Sequence, residues 1–389
     1  MSVLAAGLAM AMADCLGGVF VASNRLYIPY AVKSAHVVLQ AVSAVLLLLL
    51  IGPSLAFVGL AALLSSAVCL VFLMVCIRSR VPEARFSMGL TDHGLMREMG
   101  GLGAWSLLCE IGMLLFMNAS LMVVNVLLGN DAQATFSIAA NVSSMIGTVS
   151  IALAAVAAPL LYRCHSEGDL GGAASTARLF MKVSGVAMAF PLAFLTVFSA
   201  QAIEAWIGPG HGDVSDLVRI LMPAEVVFCA AGPLVHVPVT FMQLRPAALW
   251  ICVLGSLNVA GAAIVLGLTD LGMPGVCIVW AASVVALRMG AYPAISSRLT
   301  GSDVSGFLRP IVLALVLYAA SSLLLLVLSM AVEVPATIAG VVLPAAVLFV
   351  VYAAIAVRTM FDHEEKEKMA SFLPESSREA FERIAGMEK

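Results

Sequence analysis

Residues 54–77 read SLAFVGLAALLSSAVCLVFLMVCI, which is 24 consecutive positions without a charged side chain. An α-helix rises 1.5 Å per residue, so this stretch extends about 36 Å, enough to cross a hydrocarbon core of about 30 Å. Lipid offers no hydrogen bonds to the backbone, and a helix satisfies these groups within the segment itself. The stretch therefore predicts a membrane-spanning helix.

Similar apolar blocks recur along the whole chain. Of its 389 residues, 62% are apolar and only 11% are charged, whereas a soluble domain carries about 25% charged residues. The blocks predict an all-α, polytopic integral membrane protein with about eleven transmembrane helices, at residues 3–22, 34–51, 54–77, 101–127, 133–160, 179–200, 217–240, 247–267, 273–296, 308–330 and 335–357.

The composition also argues against several function classes. The net charge is −3 and no basic stripe is present, which makes nucleic acid an unexpected partner. The eight cysteines are scattered without a CxxC pair, the six histidines have no metal-ligand spacing, and no GxxxxGK[ST] motif occurs. We therefore expect no metal and no cofactor.

The distribution of Lys and Arg predicts the orientation in the membrane. Nineteen of the 20 basic residues fall on one side of the predicted spans, and Arg219 alone lies towards the other. Basic residues accumulate on the cytoplasmic side of membrane proteins. This side includes the tail after residue 357, so the C-terminus is predicted to be cytoplasmic.

A weak internal repeat at an offset of about 220 residues relates the first three spans to the seventh, eighth and ninth. The later copy is preceded by three further spans, and the earlier copy is not. We therefore expect a chain that lacks the first three helices of a fourteen-helix protein. The expected domains are a partial three-helix bundle, a cytoplasmic and possibly amphipathic linker, a six-helix bundle, two additional spans and a cytoplasmic tail, at residues 1–77, 78–100, 101–297, 298–357 and 358–389.

Several local sequences carry a family resemblance: GLGAWSLL from Gly101, NVLLGNDAQATFSIA from Asn125, PLLYR from Pro159 and EAWIG from Glu204. They resemble the polysaccharide-biosynthesis, or lipid-linked oligosaccharide flippase, branch of the multidrug/oligosaccharidyl-lipid/polysaccharide (MOP) exporter superfamily. The resemblance implies two pseudo-repeated bundles, the first incomplete here, plus two C-terminal helices. It also implies a transporter, not an enzyme, in the cytoplasmic membrane of a prokaryote. Its partners would be a polyprenyl-linked glycan lipid and membrane lipids.

Ionisable residues within the spans are the candidate site residues, because charges at membrane depth usually face a bundle interior or a wet cavity. Glu110 and Arg288 each lie about nine residues from the cytoplasmic end of a span, roughly 13 Å deep. They are expected either to form a structural ion pair or to line a cavity for a pyrophosphate head group and a cation.

Three further residues complete the candidate set. Arg219 is either an outward-facing anion contact or an interfacial anchor, and Glu225 is a candidate proton or cation site. Asn118 is either a ligand of a sugar hydroxyl or an interhelical hydrogen bonder. Pro223, Pro233 and Pro238 predict a kinked seventh span.

Two alternatives to a flippase remain open at this point. A cation-coupled multidrug-type antiporter of the same superfamily would need an acidic coupling site. A membrane-embedded glycan-lipid enzyme would need clustered acidic residues at a membrane face or a large loop domain. The longest predicted loops are only about 20 residues and carry no such acidic cluster.

Overall fold

The structure is a computed structural model that describes residues 2–22, 27–52, 54–81, 93–331 and 334–372, together with 378, 381–383 and 385–386 of the tail. The described residues form helices and connecting turns, with no strand among them. They divide into two compact units, residues 1–96 and 97–389. Most of the predicted linker lies at residues 82–92, outside the described residues.

The first unit contains three long apolar helices, α1 (Ser2–Ala22), α2 (Tyr27–Leu50) and α3 (Leu55–Arg80). Helix α3 packs against both of the others. Ser54 caps its first turn, where the side chain accepts a hydrogen bond from the Ala56 backbone N–H at 3.3 Å. Phe20, Ile28 and Leu73 lie in the small buried seam between the helices.

The chain continues through fourteen further α-helices: α4 (His93–Met117), α5 (Ala119–Leu128), α6 (Asn130–Ala155), α7 (Ala158–Ser166), α8 (Leu170–Val197), α9 (Ser199–Ile207), α10 (Gly212–Ala230), α11 (His236–Thr240), α12 (Leu244–Leu268), α13 (Gly272–Val285), α14 (Tyr292–Thr300), α15 (Val304–Ser329), α16 (Ile338–Met360) and α17 (His363–Phe372). A 3₁₀ turn, Gly232–Val235, joins α10 to α11. A π-helical segment, Ala286–Ala291, joins α13 to α14.

Helix α8 lies at the centre of the second unit and packs against α10 and α15. Gly185 explains how closely these three helices approach one another. A Cβ atom at this position would lie 2.8 Å from the Ala314 Cβ and 3.1 Å from the Ala230 Cβ. The three backbones thus meet across small side chains, as is common for helices packed in membranes.

The eleven predicted spans all fall on helices of the structure. Among the described residues, nine helices are long and apolar enough to cross a membrane, and a bent pair, Gly212–Ala230 with Gly232–Thr240, makes a tenth. The remaining span corresponds to a shorter apolar helix, Leu4–Phe20. The predicted fold class, a polytopic all-α membrane protein, is confirmed.

The last two spans, α15 and α16, belong to the second unit. Helix α15 packs along α8, and α16 contacts α8 and α9. The Tyr352 hydroxyl on α16 donates a hydrogen bond to the Val186 carbonyl on α8 at 2.8 Å. The finer domain boundaries stay a prediction.

Candidate functional site

Two charged side chains are buried among the described residues, and both lie in the second unit. Glu225 on α10 is 2% exposed, and Arg288 in the π-helical segment is 4% exposed. Charged groups are rarely this deeply buried because removing them from water costs several kcal/mol. We define Glu225, Arg288 and the side chains around them as the buried charge site.

Aromatic rings surround the Arg288 guanidinium. Its Cζ atom lies 4.2 Å from the ring centroid of Phe228 and 5.2 Å from that of Tyr292. A desolvated cation over aromatic faces gains about 2 kcal/mol. The Nε and Nη1 groups of Arg288 have no hydrogen-bond partner in the described structure. The guanidinium is thus held by ring faces and retains unpaired N–H groups.

The Glu225 carboxylate lies near Arg288 without contacting it directly. Its neighbours include the Ser143 hydroxyl on α6 and the positive charge of Arg288. Ser143 Oγ makes no hydrogen bond of standard geometry. Among the described residues, no nitrogen of Lys, Arg or His lies within 4.0 Å of this carboxylate. The two charges therefore attract through space without the directed hydrogen bonds of a salt bridge.

Irregular backbone positions both halves of the site. Pro223 lies inside α10 two residues before Glu225, and the chain bends by 55° where α10 passes into the segment that ends with α11. Arg288 lies in the π-helical segment. Proline removes a helical hydrogen bond, and π-helical turns occur often at functional sites. The predicted kink of the seventh span is confirmed.

The structure does not bring Glu110 and Arg288 together. Glu110 on α4 is exposed, and no described basic group pairs with it. Helix α4 contacts α12, where the Cys252 Sγ donates to the Leu108 carbonyl at 3.2 Å. Arg288 lies instead against Phe228 on α10. The alternative that Glu110 and Arg288 form an ion pair is therefore wrong, because the packing turns them towards different neighbours.

The other two candidates also lie apart from the buried charge site. Arg219 forms an ion pair with Asp216, one turn earlier on α10, at 3.0 Å. Asn118 is exposed at the break between α4 and α5. Of the five predicted residues, the structure gathers only Glu225 and Arg288.

Sequence reasoning missed the two aromatic residues around Arg288. Phe228 follows Glu225 by three positions, and Tyr292 follows Arg288 by four. These spacings place each ring on the same helical face as the charged residue. An aromatic residue one turn after a membrane-embedded charge is the signal that was available.

A second buried polar contact lies elsewhere in the second unit. The Asn258 side chain on α12 is fully buried, and its Nδ2 donates to Ser120 Oγ at 3.0 Å and to the Phe116 carbonyl at 3.4 Å. Its Oδ1 has no partner in the described structure. Asn258 thus joins α12 to α5, as expected of an amide that links helices in a membrane.

The first unit has polar contacts of its own. Lys33 on α2 forms an ion pair with Asp14 on α1 at 2.9 Å, and both side chains are about half exposed. The ring of His36 lies within hydrogen-bonding distance of two hydroxyls on α3, at 3.1 Å from Ser66 Oγ and 3.3 Å from Ser65 Oγ. These contacts link both α1 and α3 to α2.

Metal ligands are not gathered anywhere in the described structure. No group of three or more His, Cys, Asp or Glu side chains that could hold a metal ion occurs among the described residues. The expectation that the protein has no metal or cofactor stays a prediction.

Comparison with known proteins places this geometry in a wider class. No protein-family model matches the chain. Over 290 residues it is 27% identical to an uncharacterized membrane protein, EpsK, of Bacillus subtilis (strain 168). The match covers 75% of this chain and 57% of EpsK, so the chain spans little more than half of that relative.

Solved structures agree more closely in fold than in sequence. A MATE in complex with MaL6 superimposes with a TM-score of 0.67 at 15% identity, covering 77% of this chain and 69% of that one. An outward-facing multidrug resistance MATE family transporter of the MOP superfamily gives 0.61 at 16% identity, covering 75% and 67%. The chain is therefore a polytopic membrane protein with the fold of the MATE transporters.

These comparisons confirm the predicted resemblance in part. The neighbours are transporters of the MOP superfamily and not enzymes. The polysaccharide branch and the absence of three N-terminal helices stay predictions.

Proposed function

We propose that the protein is a MOP-type transporter that moves polyprenyl-linked oligosaccharide or polysaccharide precursors across the cytoplasmic membrane. The task is to carry a charged pyrophosphate and many hydroxyl groups past lipid tails, which bare hydrocarbon strongly opposes. A cavity between helical bundles lowers this cost while the polyprenyl chain stays in the bilayer. No covalent step is required.

The observation that carries this proposal is the buried Arg288 guanidinium with its unpaired Nε and Nη1 groups. Arginine suits phosphate because its planar fork of N–H donors matches phosphate oxygens. An alternating-access movement would open this region, and the pyrophosphate would then provide the missing acceptors. Glu225 would return to Arg288 as the nearby counter-charge when the substrate has left.

Broken helices support the same interpretation. The bend after α10 and the π-helical segment at Arg288 are places where a membrane helix can change shape at low cost. Transporters often build their binding sites from such discontinuous helices. Both breaks lie close to the residues of the buried charge site.

Analysis of lipid-linked glycans tests this function. The gene is deleted in its host, and the glycan lipids are measured by mass spectrometry with and without rescue. We expect a complete lipid-linked glycan to accumulate and the surface polymer to be lost. Rescue is attempted with the 389-residue chain and with a form extended upstream in the same reading frame, and the active form is used for the variants.

The variants separate a role of Arg288 from a general loss of charge. R288Q should abolish rescue, whereas R298Q should retain it, because Arg298 is an exposed arginine on the adjoining α14. An unchanged glycan-lipid pool with intact surface polymer would reject the flippase. A pool arrested at an incomplete glycan would indicate a membrane-embedded enzyme instead.

A cation-coupled multidrug-type antiporter is the second candidate. Its support is the buried Glu225 carboxylate together with the multidrug resistance transporter among the structural neighbours. This candidate predicts that deleting the gene sensitises cells to toxic cations, and that E225Q fails to restore resistance. Drug-efflux assays with wild type and E225Q distinguish it from the flippase.

A further inference from the structure

A polar cavity of about 580 Å³ lies in the second unit, away from the buried charge site. Its walls come from the first turns of α8 and α15 and from the region where α16 passes into α17. Four basic and three acidic side chains line it, an excess of one positive charge. The proposed transport mechanism uses none of these residues.

The acidic side chains are already largely engaged. Lys182 pairs with Glu365 at 2.6 Å, and the same carboxylate oxygen accepts the Asp362 backbone N–H at 3.0 Å. Lys368 pairs with Glu364 at 2.8 Å. Within the described structure, Asp362 is the one lining carboxylate without such a pairing.

Two arginines in the lining have no carboxylate partner. The Arg178 Nε donates to the Ala174 carbonyl at 3.2 Å, and its guanidinium stands over the Phe307 ring with Cζ 5.8 Å from the centroid. Arg309 is exposed, and neither arginine has a described carboxylate oxygen within 4.0 Å. The cavity therefore presents two guanidinium groups that are free to bind an anion.

The sequence places this cavity at the level of lipid phosphates. After Lys182, no charged residue occurs at positions 183–203, and after Arg309 none occurs at 310–332. Helical runs of 21 and 23 residues extend about 32 and 35 Å, close to the thickness of the hydrocarbon core. Both basic residues thus mark the inner boundary of the bilayer, on the face predicted to be cytoplasmic.

The remaining walls suit a phospholipid headgroup. The Ser175 and Thr176 side chains provide hydroxyls, whereas Leu179, Pro310 and Leu313 provide an apolar side. A headgroup phosphate needs cationic and hydroxyl donors, and the attached glycerol and acyl chains need apolar contact. The cavity offers both kinds of surface side by side.

We infer that this cavity is a binding site for the phosphate of an anionic phospholipid, held by Arg178 and Arg309. Basic pockets between transmembrane helices on the cytoplasmic side bind such headgroups in other membrane proteins. The inference is independent of the transported substrate. The bound lipid would join the start of α17 to the ends of α8 and α15.

Native mass spectrometry of the purified full chain tests the inference, with phosphatidylglycerol and phosphatidylcholine added at equal concentration. We expect the wild-type protein to retain phosphatidylglycerol preferentially. Each arginine near a headgroup contributes about fivefold to affinity, so R178Q/R309Q should weaken phosphatidylglycerol binding about 25-fold. R298Q should bind like wild type, because Arg298 is an exposed arginine of α14 outside the cavity lining.

Three results would overturn the assignment. Equal retention of the two lipids, or equal retention of phosphatidylglycerol by R178Q/R309Q and R298Q, would remove the site. Competition by glycerol phosphate as effective as that by phosphatidylglycerol would assign the cavity to a soluble phosphate instead. If R178Q/R309Q is not monodisperse, R309Q alone tests the proposal with an expected loss of about fivefold, since the exposed Arg309 makes no contact that folding requires.

Discussion

The two units treat membrane-embedded charges differently. In the first unit, Asp14 and Lys33 form a direct ion pair at 2.9 Å, with side chains 50% and 53% exposed. In the second unit, Glu225 and Arg288 are nearly fully buried, yet no nitrogen–oxygen contact within 4.0 Å joins them. The more accessible charges are paired more closely than the buried ones.

The number of surrounding helices explains this difference. Three helices meet along one seam, and a side chain off that seam remains on the surface of the unit. In the second unit, α10 is packed by α6, α8, α13 and α15, so its side chains are enclosed. Enclosure fixes Arg288 among aromatic rings at a cost in desolvation, and costs of this kind in membranes are typical of functional sites.

The largest expected effect comes from removing one charge of the buried charge site. E225L should lower the free energy of unfolding by about 3–5 kcal/mol, because it leaves Arg288 buried without its counter-charge. The double variant E225L/R288L should recover most of this loss. Thermal unfolding followed by tryptophan fluorescence suits this test, because all four tryptophans lie in the second unit. Equal loss in the single and double variants would show that the two charges act independently.

A smaller effect is expected where α4 and α12 cross. A Cβ atom at Gly255 would lie 2.9 Å from the Gly112 carbonyl oxygen, a backbone atom that cannot rotate away. G255A should therefore destabilise the second unit by about 1–3 kcal/mol. G267A, on the same helix with no neighbour within 4 Å, should be neutral or stabilising because alanine favours helix. Similar unfolding temperatures for the two variants would contradict the crossing.

The ion pair of the first unit should contribute less. D14N is expected to destabilise this unit by up to about 1 kcal/mol, since exposed pairs are worth little. The first unit contains no tryptophan, but Cys69 is buried within it. Maleimide labelling of Cys69, quantified by peptide mass spectrometry, therefore reports its opening. A loss comparable to that of E225L would mean that exposure does not distinguish the two pairs.

The smallest effect concerns α17, outside the spans. The hydrogen bond and charge of Lys368 hold the pKa of the exposed Glu364 below its ordinary value of 4.5. The contribution of this pair to the helix is therefore complete above pH 4.5 and is lost as the pH falls through the lowered pKa. At neutral pH, E364Q should speed hydrogen exchange in residues 363–372 without changing the unfolding temperature. Unchanged exchange would show that the pair does not support α17.

How much of the fold was predictable follows from the length of the apolar runs. Each run long enough to cross a bilayer had to become a helix, so all eleven predicted spans fall on helices. The prolines of the seventh span predicted its bend, because proline lacks the N–H that a helix requires. The π-helical segment at Arg288 was not predictable, since residues 286–291 contain no proline that would mark it.

The candidate site was predictable in depth but not in its partners. Counting residues placed Arg288 and Glu110 at similar depth, and equal depth made a pairing plausible. The structure places Phe228 and Glu225 near Arg288 and leaves Glu110 exposed. Depth depends only on the rise per residue, whereas partnership depends on how each helix is rotated and which neighbour it packs against.

The sequence by itself determined that this is a polytopic all-α membrane protein, where its spans begin and end, and which charges lie at membrane depth. These properties follow from transfer of side chains and backbone between water and lipid, which each segment obeys separately. Only the tertiary structure decided that Glu225 and Arg288 are enclosed together, and that Arg178 and Arg309 share a cavity. Both arrangements depend on contacts between helices distant in sequence, which no single segment specifies.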